Sequence, residues 1–479
     1  MINNIVPTPK KTEIAGGRIT VHCALNNTIP EWHPYSKTLK DAFTKIFKVN
    51  LDEKDDGIKL EKVDTLPPKS YTIDTRDSII LRASDDEGML YAIATLLQIV
   101  SVKDNEISVS RALIEDYPDK AFRALMVDLA REWHPADTVL QYIELCFMLK
   151  IKYLHLHFID NERYTLPSKA FPLLNSIDCY TYKEIAAMRE HAKAHGIMII
   201  PEFEAPGHAI ILTQSYPEVF ANETAAEVEE MRTENGDLLT DTSLICAGSP
   251  KTMKAIRTLM EEMCELFPEA PYIHIGGDEA NIKAWNSCPQ CKEYMKKNGI
   301  NDVYELYSEF VGRMAKMALE MGKTPIVWEG FPKNGIHYIP KETIVIAWET
   351  MYHMPEDLIA EGFKVINSSW RPMYVVPAPE MDWSVREILD WNVYNWQHWY
   401  VKSAAHLNPI NVSPTDQVIG AEMCLWESTF EQEITRAIYN LTAMSERTWN
   451  VKRLWEYIDF VNRAKPTIRT RISRYIQKL

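Results

Sequence analysis

Residues 121–160 read AFRALMVDLAREWHPADTVLQYIELCFMLKIKYLHLHFID. The apolar run at 122–128 (FRALMVD) suits a strand buried on both faces. Residues 136–150 then carry apolar side chains at helical spacing, and a second buried run follows at 153–159 (YLHLHFI). This strand–helix–strand rhythm continues down the chain. Strand-like runs recur at 197–203, 272–276, 325–328, 343–348, 364–367 and 418–426, with helical stretches at 181–195, 249–266, 302–321 and 355–361. Eight buried strands with intervening helices predict an α/β fold of the (β/α)8 barrel type. Upstream the rhythm differs. Arg18–Leu25 and Ser70–Arg82 read as strands, Pro34–Phe47 and Gly88–Val102 as helices. Residues 1–118 are therefore expected to form a small α+β domain, and residues 119–479 the barrel.

Bulk properties narrow the function. The chain has 479 residues, 46% of them hydrophobic and 25% charged, an ordinary globular composition. Its net charge of −15 repels phosphate backbones, so no nucleic-acid partner is expected. The apolar stretch Ala92–Val102 is too short for a bilayer, which needs roughly 20 residues. The start MINNIVPTPKK lacks a signal-peptide core, so a cytoplasmic protein without a membrane partner is the expectation. Of the eight cysteines, Cys288 and Cys291 form a C-x-x-C. A zinc ribbon needs a second such pair, so no chemistry is expected of it.

A barrel of this type gathers its chemistry at the C-terminal strand ends. Those positions hold Asp128, His157, Asp160, Glu202, Glu204, Asp278, Glu279, Trp328, Glu329, Trp348, Trp426 and Glu427. Any single member reads as a loop anchor. As a set, carboxylates that bond hydroxyls and tryptophans that stack on sugar rings suggest a carbohydrate site. The sharpest string is His274-Ile275-Gly276-Gly277-Asp278-Glu279-Ala280. Ordinary glycosidases place two carboxyls across the scissile bond, about 5–5.5 Å or 6.5–9.5 Å apart. Consecutive acids cannot easily flank an anomeric carbon. They suit the substrate-assisted exception, in which the 2-acetamido group is the nucleophile and one acid donates the proton. His155 and His157 share a strand face, but a metal site needs a full ligand set. His208 and His274 fall in strings already accounted for, so no metal or other cofactor is expected. A sugar-binding protein on a dead hydrolase barrel is the alternative, and it sits poorly with an intact acid pair.

These strings resemble glycoside hydrolase family 20, the β-N-acetylhexosaminidases, whose fourth barrel strand ends in H-x-G-G-D-E. LHLHFID at 154–160, PEFEAPGHA at 201–209, NLTAMSERTWN at 440–450 and ASDDEGMLYAIATLLQ near 83–98 are similar to further family strings, in family order. The resemblance implies exo-acting, retaining release of a terminal N-acetylhexosamine. It implies Glu279 as general acid and base, and Asp278 as the group that orients the acetamide. It implies Arg123 on the 3- and 4-hydroxyls, and Asp160 with His208 supporting the acid. It further implies Trp328, Trp348 and Trp426 as aromatic walls and Tyr374 on the acetamide oxygen; His274 reads as structural. Two departures stand out. Val376 replaces the family's aspartate, and Trp426-Glu427-Ser428 puts an acid one residue early. Both fall where the outer hydroxyls would be read, which suggests GalNAc cleavage at least comparable to GlcNAc, with Glu427, Trp370 or Arg371 as substitute contacts. A negative neighbour and a tryptophan-lined cavity are expected to keep Glu279 protonated while Asp278 stays ionised.

Overall fold

The computed structural model describes residues 2–476 apart from 55, 176–177, 223–230, 233–237, 240–243 and 379–380. Eight parallel strands close into a barrel. They are β1 (Phe122–Asp128), β2 (Tyr153–His157), β3 (Met198–Glu202), β4 (Tyr272–His274), β5 (Thr324–Trp328), β6 (Ile344–Ala347), β7 (Lys364–Asn367) and β8 (Val418–Leu425). Each pairs with its neighbours in order, and β7–β8 and β8–β1 complete the circle. The eight expected strands are all found, within a few residues at their ends. Helices Ala136–Met148, Tyr182–His195, Pro250–Leu266, Val303–Glu320 and Pro355–Ala360 occupy the expected connections.

Side-chain alternation sorts each strand into inward and outward residues. On β1, Phe122, Ala124 and Met126 belong to the barrel's inner cluster. The rings of Phe122, Tyr153 and Tyr272 plug the bottom, with centroids 4.5–6.4 Å apart. Above them lies a buried polar layer of His155, Glu202, His274 and Glu422, and above that the tryptophans.

The N-terminal segment forms a separate mixed sheet. Its strands run Lys11–His22, Glu106–Asp116, Tyr71–Asp74, Ile79–Ala83, Ile58–Lys62 and Leu25–Asn26 across the sheet. The helix Asp86–Ile99 is capped by Asp85, whose carboxylate accepts from Gly88 N at 2.8 Å. It is buried from Gly88 to Ile99, which its uniformly apolar sequence requires. Gln98 on this helix bonds both Val6 O and Met148 O, joining sheet domain to barrel. The terminal stretch returns to the N-terminal end: Thr467 donates to Asn4 O at 2.7 Å and Arg471 to Val100 O at 2.9 Å. No helix among the described residues is long and apolar enough to cross a membrane.

Candidate active site

The mouth of the barrel is built by loops that strand-end carboxylates hold in place. Asp128 accepts from the N–H groups of Ala130 and Arg131 at 3.0 Å and from Glu427 N at 3.3 Å. Glu329 accepts from Thr350, Tyr352 and His353 N–H at 2.8–2.9 Å. These two acids are loop anchors.

After β4 the chain turns sharply through Gly276 (φ 66°) and Gly277 (φ 97°). A Cβ on Gly276 would lie 2.1 Å from Glu204 Oε1, so only glycine lets that carboxyl sit beneath the turn. Glu204 in return accepts from Gly277 N at 3.1 Å. The turn delivers Asp278 and Glu279 to the mouth. Glu279 adopts a left-handed φ of 41°, and the same region is occupied by His208 (49°) and Glu427 (56°). Such conformations cost non-glycine residues about 1–3 kcal/mol each and cluster where side chains must be aimed at a ligand.

The two acids sit in different environments. The Asp278 side chain is 13% exposed, and its Oδ1 has no hydrogen-bond partner among the described residues. The Glu279 side chain is 52% exposed, with Oε2 3.4 Å from His208 Nε2. His208 Nδ1 lies 3.2 Å from Asp160 Oδ1, and Asp160 Oδ2 meets Arg131 at 2.7 Å and His157 Nε2 at 3.0 Å. A continuous polar chain thus runs Arg131–Asp160–His208–Glu279. Burial alone would raise the Asp160 carboxyl, but the surrounding cations hold it well below the usual range. Burial likewise disfavours a charged His208, yet Asp160 and Glu279 keep its imidazole protonated well above the usual range.

The charge order of the free acid pair is the reverse of the expectation. Burial, then the negative charges of Glu279 and Glu202, push Asp278 up to about 6. Burial would raise Glu279 too, but the hydrogen bond and positive charge of His208 hold it below the usual carboxylate value. The tryptophan-lined cavity therefore raises the more enclosed acid, and the histidine decides the other. Glu204, raised by burial and by Asp278 and Glu202, is kept neutral beneath them.

Trp328, Trp348, Tyr374 and Trp426 close into a box, each less than 9% exposed, with centroids of adjacent rings 5.8–6.3 Å apart. Trp328 Nε1 donates to Glu202 at 2.6 Å, and Trp348 Nε1 to Glu329 O at 2.9 Å. Glu202 also meets His155 at 3.2 Å, His274 at 2.8 Å and His157. Those imidazoles overcome its burial and hold it well below the usual range. His274 is fully buried in this layer and bonds Gly276 N at 3.1 Å, a structural part.

Arg123 is not in the site. It lies near the start of β1 and on the outward face, because Phe122 and Ala124 point inward. It is fully buried, donates to Lys150 O at 2.9 Å and Lys120 O at 2.5 Å, and lies over the rings of Tyr91 and Trp449. The guanidinium at the mouth is that of Arg131, three residues beyond the strand end. It pairs with Asp160 and with Glu427 Oε1 at 3.3 Å and lies over Trp426 at 4.9 Å. The signal was present: loops after the strand end reach the mouth, whereas residues at its start do not. Glu427, one residue early in the sequence, still reaches the mouth because its left-handed turn re-aims it. Arg371 instead bonds Glu387 at 2.7 Å and lies over Trp383; Trp370 stacks on Tyr374 at 4.8 Å. Glu349, unnoticed in the sequence, is pushed up to about 9 by burial and then by Glu279, Glu329 and Asp278.

The chain is similar to known proteins. The chain is 30% identical to a β-hexosaminidase of Akkermansia muciniphila over 305 residues, 60% of each chain. It is 26% identical to the β-hexosaminidase subunit B2 of Dictyostelium discoideum, over 94% of this chain and 82% of that one. In fold it is similar to an exo-β-N-acetylglucosaminidase of Vibrio harveyi, with TM-score 0.82, 22% identity and coverage of 98% and 78%. The model for glycosyl hydrolase family 20, domain 2, matches residues 3–117, and the model for that family's catalytic domain matches residues 121–452. The chain therefore belongs to glycosyl hydrolase family 20.

Proposed function

We propose that this protein is an exo-acting, retaining β-N-acetylhexosaminidase that uses the substrate's own 2-acetamido group as nucleophile. The observation that carries this reading is the placement of Asp278 and Glu279. Both acids come from one turn, with the unpartnered Asp278 Oδ1 enclosed beside an aromatic box and Glu279 at its open edge. Asp278 accepts from the acetamide N–H and holds the carbonyl oxygen beneath the anomeric carbon. Tyr374 and the tryptophans enclose the acetamide and the sugar face. An intramolecular nucleophile so placed is worth up to about 7–11 kcal/mol over a bimolecular attack. Glu279 protonates the departing oxygen and then takes a proton from water. Arg131, braced by Asp160 and Glu427, presents N–H donors to the ring hydroxyls, the role first expected of Arg123. The leaving group lies toward the cavity of about 170 Å³ beside Glu279, lined by Lys283, Tyr304, Tyr307 and Tyr352.

Glu427 replaces the outer carboxylates that Val376 and Ser428 do not supply, and its pairing with Arg131 leaves it with less to offer an equatorial 4-hydroxyl. GalNAc substrates are therefore expected to be cleaved at least comparably to GlcNAc substrates. Side-by-side kcat/KM for the 4-nitrophenyl β-GlcNAc, β-GalNAc and β-glucoside tests both statements. A GlcNAc preference above about a hundredfold, nearly 3 kcal/mol, overturns the first, and a β-glucoside cleaved as fast as the acetamido sugars overturns the mechanism.

The pair's titration sets the pH dependence. The competent form carries one proton, on Glu279, with Asp278 ionised; in the free protein that proton resides mainly on Asp278. Above about 6 the pair loses it, since this is where the raised Asp278 carboxyl titrates. Below the lowered Glu279 value a second proton enters and neutralises both acids. The kcat/KM profile is expected to be bell-shaped, with its basic limb near pH 6 and its acid limb below the ordinary carboxylate range. A profile flat from mildly acidic to strongly basic pH would contradict the assignment.

A further inference from the structure

Cys288 and Cys291, the pair whose spacing promised no chemistry, are met in the fold by a third thiol. Cys246 lies in the segment after the β3 loop and places its Sγ 3.7 Å from the Sγ of each. All three are buried and none is in a disulfide. A disulfide would need sulfurs about 2.05 Å apart. Tetrahedral thiolates at about 2.3 Å from a zinc ion stand roughly 3.8 Å from one another. The two separations from Cys246 match edges of such a tetrahedron, and all three sulfurs lie within 4.8 Å of one another.

The two segments touch backbone to backbone. A Cβ on Gly248 would lie 2.4 Å from Gln290 O and 2.7 Å from Cys291 Cα, so glycine is required for the sulfurs to converge.

We propose that Cys246, Cys288 and Cys291 bind one thiophilic divalent ion, of the zinc class, with water or a small exogenous ligand in the fourth position. The ion is a strut and not part of the acid-pair chemistry. Ile245, next to Cys246, donates its N–H to Pro206 O at 3.0 Å, two residues before His208. Cys288 caps, and Cys291 lies within, the helix Pro289–Asn298 that follows the loop carrying Glu279, and Trp285 Nε1 already bonds Ile245 O at 2.9 Å. The ion would tie the loop that carries His208 to the loop that carries Asp278 and Glu279.

The test is metal analysis of the full chain, purified under reducing conditions without chelator and then incubated with zinc chloride and dialysed. About one zinc per chain is expected, released by a thiol-specific mercurial and not by a carboxyl reagent. Cobalt loading should give an intense thiolate-to-metal charge-transfer absorption. Cys246→Ser should lose the ion, whereas Cys264→Ser, outside the cluster, should keep it. A wild-type chain that stays metal-free while all three thiols alkylate overturns the proposal. So does a Cys288–Cys291 disulfide in the isolated protein, or bound cobalt without the charge-transfer band. The wild-type measurements stand even where Cys246→Ser does not fold, and they are independent of whether the chain cleaves any sugar.

Discussion

Glu279→Gln is expected to lose about 10²–10⁴-fold in kcat on glycosides with a poor leaving group, and far less on those whose leaving group departs without a proton. Glutamine keeps the shape and the reach to His208 but has no proton to give. Asp278→Asn should differ in kind. It slows the first step on every substrate, activated or not, because the neutral amide of asparagine binds the acetamide N–H far more weakly than a carboxylate does, and the acetamide carbonyl oxygen is not driven under the anomeric carbon. The loss expected is about 10²–10³-fold, the scale of removing one preorganised electrostatic partner. Leaving-group dependence of kcat for the two variants separates the roles. Wild-type turnover by Asp278→Asn would show that Asp278 is misassigned, and a Glu279→Gln loss independent of leaving group would remove Glu279 as the acid. His208 connects the two acids, since it lies 3.4 Å from Glu279 and 3.9 Å from Asp278.

The second large effect separates two arginines. Arg131→Ala should lower kcat/KM by about 10²–10⁴-fold, since two hydrogen bonds from a charged donor are worth roughly 1.5–3 kcal/mol each. The folded state should change little, because Arg131 is partly solvated at the mouth. Arg123→Met should do the opposite. Its guanidinium is fully buried and bonds three backbone carbonyls and the Tyr91 hydroxyl. Its loss should cost about 3–5 kcal/mol of stability, the scale of breaking a buried charged network, with kcat/KM within a few-fold of wild type. Denaturant midpoints and kinetics on the same preparations decide it. If Arg123→Met lowered kcat/KM at unchanged stability, the placement of Arg131 as the hydroxyl-binding arginine would fail.

The barrel was legible because each of its strands is buried on both faces and therefore writes an unbroken apolar run, punctuated by turn residues at its end. The rule that chemistry collects at those ends then selected Asp278, Glu279, Asp160, Trp328, Trp348 and Trp426, and the family resemblance added His208 and Tyr374; the structure joins Asp160, His208 and Glu279 in one polar chain and closes the tryptophans and Tyr374 into one box. The strand at Glu106–Asp116 escaped notice because its alternating polar face is weak beside the barrel's runs. Arg123 was misplaced for a different reason: a strand string does not state which end of the barrel, or which face, a given residue occupies, and one residue reverses the face. The sign of the acid pair's proton order lay further out of reach. It depends on His208, which arrives from another loop, and on how deeply each carboxyl is enclosed. The meeting of Cys246 with Cys288 and Cys291 is of the same kind. Local pattern encodes burial and periodicity, and so determines strands, helices and the fold they close into. Distances between side chains far apart in the chain arise only when the barrel closes, and it is those distances that set charge, strain and ligand geometry.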